Sequence, residues 1–339
     1  MNSKTKLIGI AAIGGGAMMV LVWFLLPATT EPTRTVQLER ITVGAEASML
    51  TAAIWVAESR GYFDKEGLDV RIKTFDSGRL SLLAMLKGEG IDICTVAPTP
   101  IMFNSFERDD FAIIATFVYS YDDIKVIARK DKGIATARDL KGKKVGTPAR
   151  TTGQFFLNAF LTDRGVPAKE VQAIDINPSD LPVALEKNDV DAIVIWEPHG
   201  YYAQELLGDK ATRLPDLDIY KETFNFVVMK DYAATHPELL AKFLRATDAA
   251  TTFIVENKEE SRELVAENLD LDRKVTAAIW DDFVFEMSLD QTLIRTLEEE
   301  ALWAIRSQLV DRPKIPNYLH YIHLRSLKAV KPQAVTIPK

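Results

Sequence analysis

The sequence predicts an α/β protein of two similar lobes joined by a two-strand hinge, and three observations point there. The first is an internal repeat. Val43-Gly44 leads through Ala47-Ser48 into an apolar helix-like run ending at Arg60-Gly61, and Val145-Gly146 leads through Thr151-Thr152-Gly153 into another ending at Arg164-Gly165. The second is the order inside each copy, where strand-like and helix-like runs alternate, as in a mostly parallel sheet covered by helices. The third is a strand-like run from Phe224 to Met229 that carries the chain back after the second copy. Two crossings of this kind make a hinge about which rigid lobes can rotate over a ligand.

The bulk properties suit this reading. A chain of 339 residues is long enough for more than one core. Its 47% hydrophobic and 26% charged content describes an ordered globular protein. The formal net charge of -7 argues against general nucleic-acid binding, which needs a basic stripe. A small anion remains compatible, because amides and helix ends bind anions locally. Cys94 is the only cysteine, so no intrachain disulfide or cysteine-based metal cluster can form; inside an apolar run it reads as a buried, inert thiol.

In chain order, Lys4 and Lys6 precede an uncharged stretch from Leu7 to Leu26, long enough to cross a bilayer with its positive charges cytoplasmic. Residues 1–28 are expected to form an N-terminal signal or anchor helix. Ala28 and Thr30 match a cleavage site only weakly, and no cysteine follows for a lipid anchor, so an uncleaved anchor is preferred. Either way the body is exported, to the periplasm or the outer face of the inner membrane. Pro27 to Leu38 is a polar tether.

The first lobe is expected over 41–130 plus 225–325, with C-terminal helices, and the second over 131–224. In the first copy, Ile41-Thr42-Val43 and Leu68 to Phe75 read as strands, Asp76-Ser77-Gly78 as a loop, Ile91-Asp92 as the entry to a buried strand, and Ala97-Pro98-Thr99-Pro100 as a second loop. The second copy offers Val145-Gly146, Val171 to Ile176, Asn177-Pro178-Ser179-Asp180, Val190-Asp191 and Trp196-Glu197-Pro198 in the same order. Ala112 to Val118 and Ile124 to Ala128 read as further strands of the first lobe, with Lys130-Asp131-Lys132-Gly133 as the crossing. From His236 helical spacing takes over, with Leu239, Leu240, Phe243 and Leu244 on one face. Further amphipathic stretches cover Glu259 to Asn268, Val275 to Phe285 and Gln291 to Val310. Asn257 and Glu260 have capping-box spacing. Asn317 to Val330 is expected to be a loose polar end.

Open α/β sheets bind ligands beyond the carboxyl ends of their strands, which nominates the loops of both copies. Thr151 or Thr152 can cap the following helix and leave its amides and positive dipole end facing the cleft, a place for sulfonate, carboxylate, nitrate or phosphate. Ser48 holds the matching position in the first copy. Gly78 permits close backbone approach and Ser77 offers a hydroxyl, while Arg79 reads as a surface side chain. Trp196 gives a flat wall, against a competing reading as a packing residue, and Glu197 an acceptor for an amine or ring nitrogen. Trp196→Ala is expected to remove binding and leave the melting temperature little changed. Tyr119 and Tyr121 read as packing, and His199 as close to the cleft rim.

Catalytic signatures are missing. Gly88-Glu89-Gly90 lacks the third glycine of a dinucleotide fingerprint, Gly142-Lys143-Lys144 lacks the rest of a P-loop, and neither His-Glu-x-x-His nor Gly-x-Ser-x-Gly occurs. His320 and His323 have no third metal ligand nearby. No enzyme activity, metal or cofactor is expected.

Several stretches together resemble one family. Ala57 through Phe63 (AESRGYF), Glu66-Gly67-Leu68-Asp69-Val70, Phe75-Asp76-Ser77-Gly78, Gly90-Ile91-Asp92-Ile93, Asp139 through Gly146 and Trp196-Glu197-Pro198 look like the solute-binding proteins that serve ABC importers of sulfonates, taurine, nitrate and thiamine-type pyrimidines. The resemblance runs from about Ile41 to Phe226. It implies a type II periplasmic-binding-protein fold, acting as a monomer, with a small polar, anionic ligand or a pyrimidine held by Ser48, Ser77, Thr99, Thr151, Thr152, Trp196 and Glu197. The implied partners are an ABC permease and its ATPase, with the membrane reached through the N-terminal helix. A related pyrimidine-forming enzyme branch carries a cysteine-rich motif that this sequence lacks. The alternative is a membrane-anchored sensing component that signals through a partner protein.

Overall fold

A computed structural model of the protein describes residues 38–215 and 219–337. The expected N-terminal signal or anchor helix lies outside these residues. Among the described residues, no helix is long and apolar enough to cross a membrane.

The strands in chain order are β1 (Glu39–Glu46), β2 (Leu68–Phe75), β3 (Ile93–Val96), β4 (Phe111–Ser120), β5 (Ile124–Arg129), β6 (Lys144–Thr147), β7 (Gln172–Asp175), β8 (Ala192–Trp196), β9 (Ala211–Arg213), β10 (Glu222–Met229) and β11 (Phe283–Val284). They form a six-stranded sheet, β11-β4-β10-β3-β1-β2, and a five-stranded sheet, β7-β6-β8-β5-β9. The sequence repeat becomes a repeat of topology. In the first sheet β1 runs parallel to β2 and β3, and β10 joins β3 antiparallel. In the second, β6 runs parallel to β7 and β8, and β5 joins β8 antiparallel. Each sheet is completed by an antiparallel strand that enters just after the chain has crossed over.

The paired motifs do the same physical job twice. Asp92 accepts the Thr42 N–H at 2.7 Å, and Asp191 accepts the Lys144 N–H at 2.9 Å, so each aspartate ties the entry of its own strand, β3 or β8, to the neighbouring parallel strand, β1 or β6. Gly44 and Gly146 lie where a helix crosses that strand closely. A Cβ would meet Ser81 Oγ at 2.4 Å in one lobe and Leu181 Cδ2 at 2.6 Å in the other. Separate apolar cores fill the two lobes, one around Ile41, Val43, Phe117 and Phe226, the other around Val126, Val145, Ile193 and Trp196.

The C-terminal helices serve the first core. Helix Pro237–Glu256 buries Leu239, Leu240, Phe243 and Leu244, and the Phe243 ring stacks on Phe63 with centroids 5.6 Å apart. Several sequence expectations change. Ile124–Arg129 belongs to the second sheet, because a short strand buried along its whole length carries no mark of which sheet it completes. Glu222 and Thr223 begin a strand of the first sheet instead of ending the second lobe. Pro98 and Pro100 start a helix, Pro98–Ser105, as prolines at a first turn can. The amphipathic run from Val275 breaks at Ile279 into a short turn and β11. Asn257 makes no side-chain cap; its amide donates to the Phe253 carbonyl at 3.2 Å. The tail is docked, with Tyr318 and Tyr321 buried and the Tyr321 hydroxyl donating to the Ser105 and Arg108 carbonyls.

Candidate functional site

The carboxyl ends of the two parallel units face one small cavity. From the first sheet come Glu46, the last residue of β1, and Ser77, Gly78 and Arg79 just after β2. From the second come Thr151 and Thr152 after β6, and Trp196 at the end of β8. Glu222 and Phe224, at the start of the returning β10, complete the wall. The cavity volume is about 20 Å³, room for roughly one water molecule, whereas ligand pockets run to ~300 Å³ or more. A larger ligand therefore requires the lobes to part further.

Ser77, Thr151, Thr152 and Trp196 meet at this cavity. Ser77 caps helix Gly78–Leu86, its hydroxyl oxygen accepting the Leu80 N–H at 3.4 Å. Thr151 does not cap helix Thr152–Asp163 through its side chain; its hydroxyl donates to the Pro148 carbonyl at 2.7 Å. The Thr152 hydroxyl faces Glu222. Ser48 is buried just behind the wall near Glu46, with its oxygen unpaired.

Thr99 and Glu197 do not line the cavity. Thr99 is buried in the first turn of its helix, facing Glu300. Glu197 turns into the second lobe, where Oε2 accepts the Tyr201 N–H at 2.8 Å and Oε1 lies 3.9 Å from Lys125 Nζ. Trp196 is both wall and core: it is 5% exposed and packed among the buried residues of the second lobe. Its truncation therefore cannot leave stability untouched, contrary to the expectation from sequence. Its ring meets His199 edge-on at 6.4 Å, and burial pushes that imidazole down to about 4, leaving it neutral.

Sequence reasoning passed over the acids. Glu46 is 4% exposed, and its Oε2 accepts the Gly78 N–H at 2.7 Å. Its Oε1 has no partner in hydrogen-bonding geometry, although the Ser48 hydroxyl and the Trp196 indole lie nearby. Burial, reinforced by the charge of Asp123, pushes the Glu46 carboxyl up to about 8. Glu222 and Asp123 are both buried and face each other as an acid pair; desolvation and their repulsion hold Glu222 well above the usual carboxylate range. Lys125 is 3% exposed and directs its ammonium to Asp282 at 2.8 Å and Asp122 at 3.1 Å. Burial also pushes Glu197 up to about 8, against the pull of Lys125. Among the described residues no His, Cys, Asp and Glu cluster could hold a metal ion. The available signal was an acidic residue at a strand terminus: Glu46 lies between two alanines, whereas Glu222, between Lys221 and Thr223, carries no such mark.

The sequence pattern of the family described as NMT1/THI5 like matches residues 50–261. The chain belongs to this family. A relative of this NMT1/THI5-like chain from Bacillus subtilis (strain 168), named as a candidate aliphatic sulfonates-binding protein, is 26% identical over 287 residues, covering 81% of this chain and 84% of its own. The taurine-binding periplasmic protein of Escherichia coli (strain K12) is 26% identical over 228 residues, covering 64% of this chain and 68% of its own. Among solved structures, the periplasmic aliphatic sulphonate binding protein SsuA from Escherichia coli matches with a TM-score of 0.71 at 20% identity, over 84% of this chain and 92% of that one. The fold is that of the type II periplasmic binding proteins, two α/β lobes flanking a cleft. The desulfurization enzyme DSZB shares it at a TM-score of 0.62 and 15% identity, over 87% of this chain and 99% of that one. The fold alone therefore does not separate binding from catalysis.

Proposed function

We propose that this NMT1/THI5-like chain is the substrate-binding component of an ABC importer, an extracytoplasmic receptor that closes two lobes over a small polar organic ligand. It acts as a monomer and delivers that ligand to a permease driven by an ATPase. The observation that carries this reading is the convergence of strand-end loops from both sheets, Ser77 from one and Thr151, Thr152 and Trp196 from the other, on a single cavity. A ligand there touches both lobes at once, so it favours the closed arrangement by contacts it cannot make in the open one.

The names of the relatives, which point to aliphatic sulfonates and taurine, support a binding role. The wall supports binding over catalysis, since it holds neither histidine nor cysteine, and its serine oxygen is engaged as a helix cap. Ser77, Thr151, Thr152, Trp196 and Phe224 are the residues assigned to ligand contact. Isothermal titration with alkanesulfonates, taurine, nitrate and aminopyrimidines, paired with small-angle scattering, tests this. Binding with a reduced radius of gyration, relative to the open free state, is the expected result. No heat with any of them, and no small molecule carried through purification by native mass spectrometry, would overturn it.

A further inference from the structure

The start of helix Gly78–Leu86 is already filled from within the chain. The Glu46 carboxyl accepts the Gly78 N–H, and Ser77 accepts the Leu80 N–H, so two donors of this helix start are already engaged. What this side of the cavity presents in their place is carboxyl groups. Glu46 Oε1 is unpaired, nine-tenths buried and part of the cavity wall, and Glu222 stands in the same wall with Asp123 behind it. The buried cation of the region, Lys125, is engaged by Asp122 and Asp282. Arg79 is the cationic residue in the wall.

We propose that the ligand carries a basic nitrogen, an amine, amidine or guanidine, whose N–H groups are received by Glu46 Oε1 and Glu222, and that a simple anion without such a nitrogen is rejected. This rests on the receptor reading above and narrows its ligand. An N–H donor gives Glu46 the partner it lacks, and a cation offsets the cost of holding several carboxyls together out of water. A sulfonate in the same place would face the Glu46 and Glu222 carboxyls, whose ionisation repels it, with Arg79 as the one cationic residue in the wall.

The sign of the pH dependence separates the two chemistries without any mutation. The groups facing Glu46 are Asp123, Glu222 and, across the wall, Arg79, with the Gly78 amide, the Ser48 hydroxyl and the Trp196 indole as neutral neighbours. A cation favours ionised Glu46, so its binding releases a proton and tightens as pH rises towards about 8. An anion favours the protonated form and weakens over the same range.

The test is isothermal titration of the full chain between about pH 6 and pH 8. The probes are agmatine, putrescine and taurine on one side, ethanesulfonate and nitrate on the other. Taurine and ethanesulfonate differ by one ammonium group. A nitrogen probe binding at least ~10-fold more tightly than the anions, and more tightly at higher pH, is the expected result. Glu46→Gln keeps an acceptor for the Gly78 N–H, and a melting curve checks its fold. It should weaken the nitrogen probe by about 10-fold or more. Ethanesulfonate or nitrate binding while the nitrogen probes do not, or an affinity unmoved by Glu46→Gln, would overturn this inference and leave the receptor reading standing. A co-purified ligand without a basic nitrogen would do the same. No binding by any probe and no co-purified ligand would overturn both.

Discussion

Glu300 offers a test of the buried-acid reasoning away from the cavity. It sits on helix Gln291–Arg306 with no exposed surface, accepts the Tyr220 hydroxyl at 2.8 Å through Oε1, and faces Thr99. Burial pushes its carboxyl up from 4.5 to about 8. The folded protein therefore holds this proton more tightly than the unfolded chain does. The resulting stability is fully present below about pH 4.5 and is lost as pH rises through about 8. Within that window the slope is about 1.4 kcal/mol per pH unit, which gives a ceiling of about 4 kcal/mol between pH 5 and pH 8. Glu300→Gln keeps an acceptor for Tyr220, offers an N–H to Thr99, and has no proton to lose. In urea unfolding the variant should lie within about 1 kcal/mol of the parent near pH 5 and exceed it by roughly 2–4 kcal/mol near pH 8. A difference between the two proteins that is the same at both pH values would refute the reasoning.

Other substitutions probe the fold around the cleft. Gly78→Ala would place a Cβ 2.9 Å from both the Thr95 carbonyl oxygen and Val96 Cα, backbone atoms that cannot step aside. A loss of about 1–3 kcal/mol in urea unfolding is expected, and a neutral outcome would show that the helix can shift freely. Lys125→Met removes the ammonium shared by Asp122, Asp282 and Glu197 and should cost about 3 kcal/mol, less at acidic pH where Glu197 holds its proton. Equal loss at pH 5 and pH 8 would contradict that assignment. Trp196→Ala should cost about 3 kcal/mol or more as well as ligand affinity, because the ring belongs to the second core. A melting temperature close to that of the parent would return Trp196 to the cleft alone.

The paired motifs were legible because each meets a local requirement that repeats with the topology. Asp92 and Asp191 tether a strand entry, and Gly44 and Gly146 let a helix cross closely, so the same residue types recur at the same places. Ser77, Thr151, Thr152 and Trp196 could be nominated because strand-end loops converge in such sheets. Thr99 and Glu197 were misdirected for a physical reason. Their loops are the right ones, but whether a side chain points into the cleft or back into its lobe depends on partners distant in sequence, Glu300 for one and Lys125 for the other.

The sequence by itself determined the α/β class, the two-fold repetition, the return strand and the loops that could meet a ligand. These follow from periodicity and from close-packing demands that act over a few residues. Only the tertiary structure decided that Ile124–Arg129 completes the second sheet, that the tail packs on the first lobe, and that Glu46 occupies the start of helix Gly78–Leu86. The character of the cavity comes from Glu46, Asp123 and Glu222, which are far apart in the chain and acquire their shifted proton affinities only through shared burial. Burial and charge proximity belong to the folded molecule, and no window of sequence contains them.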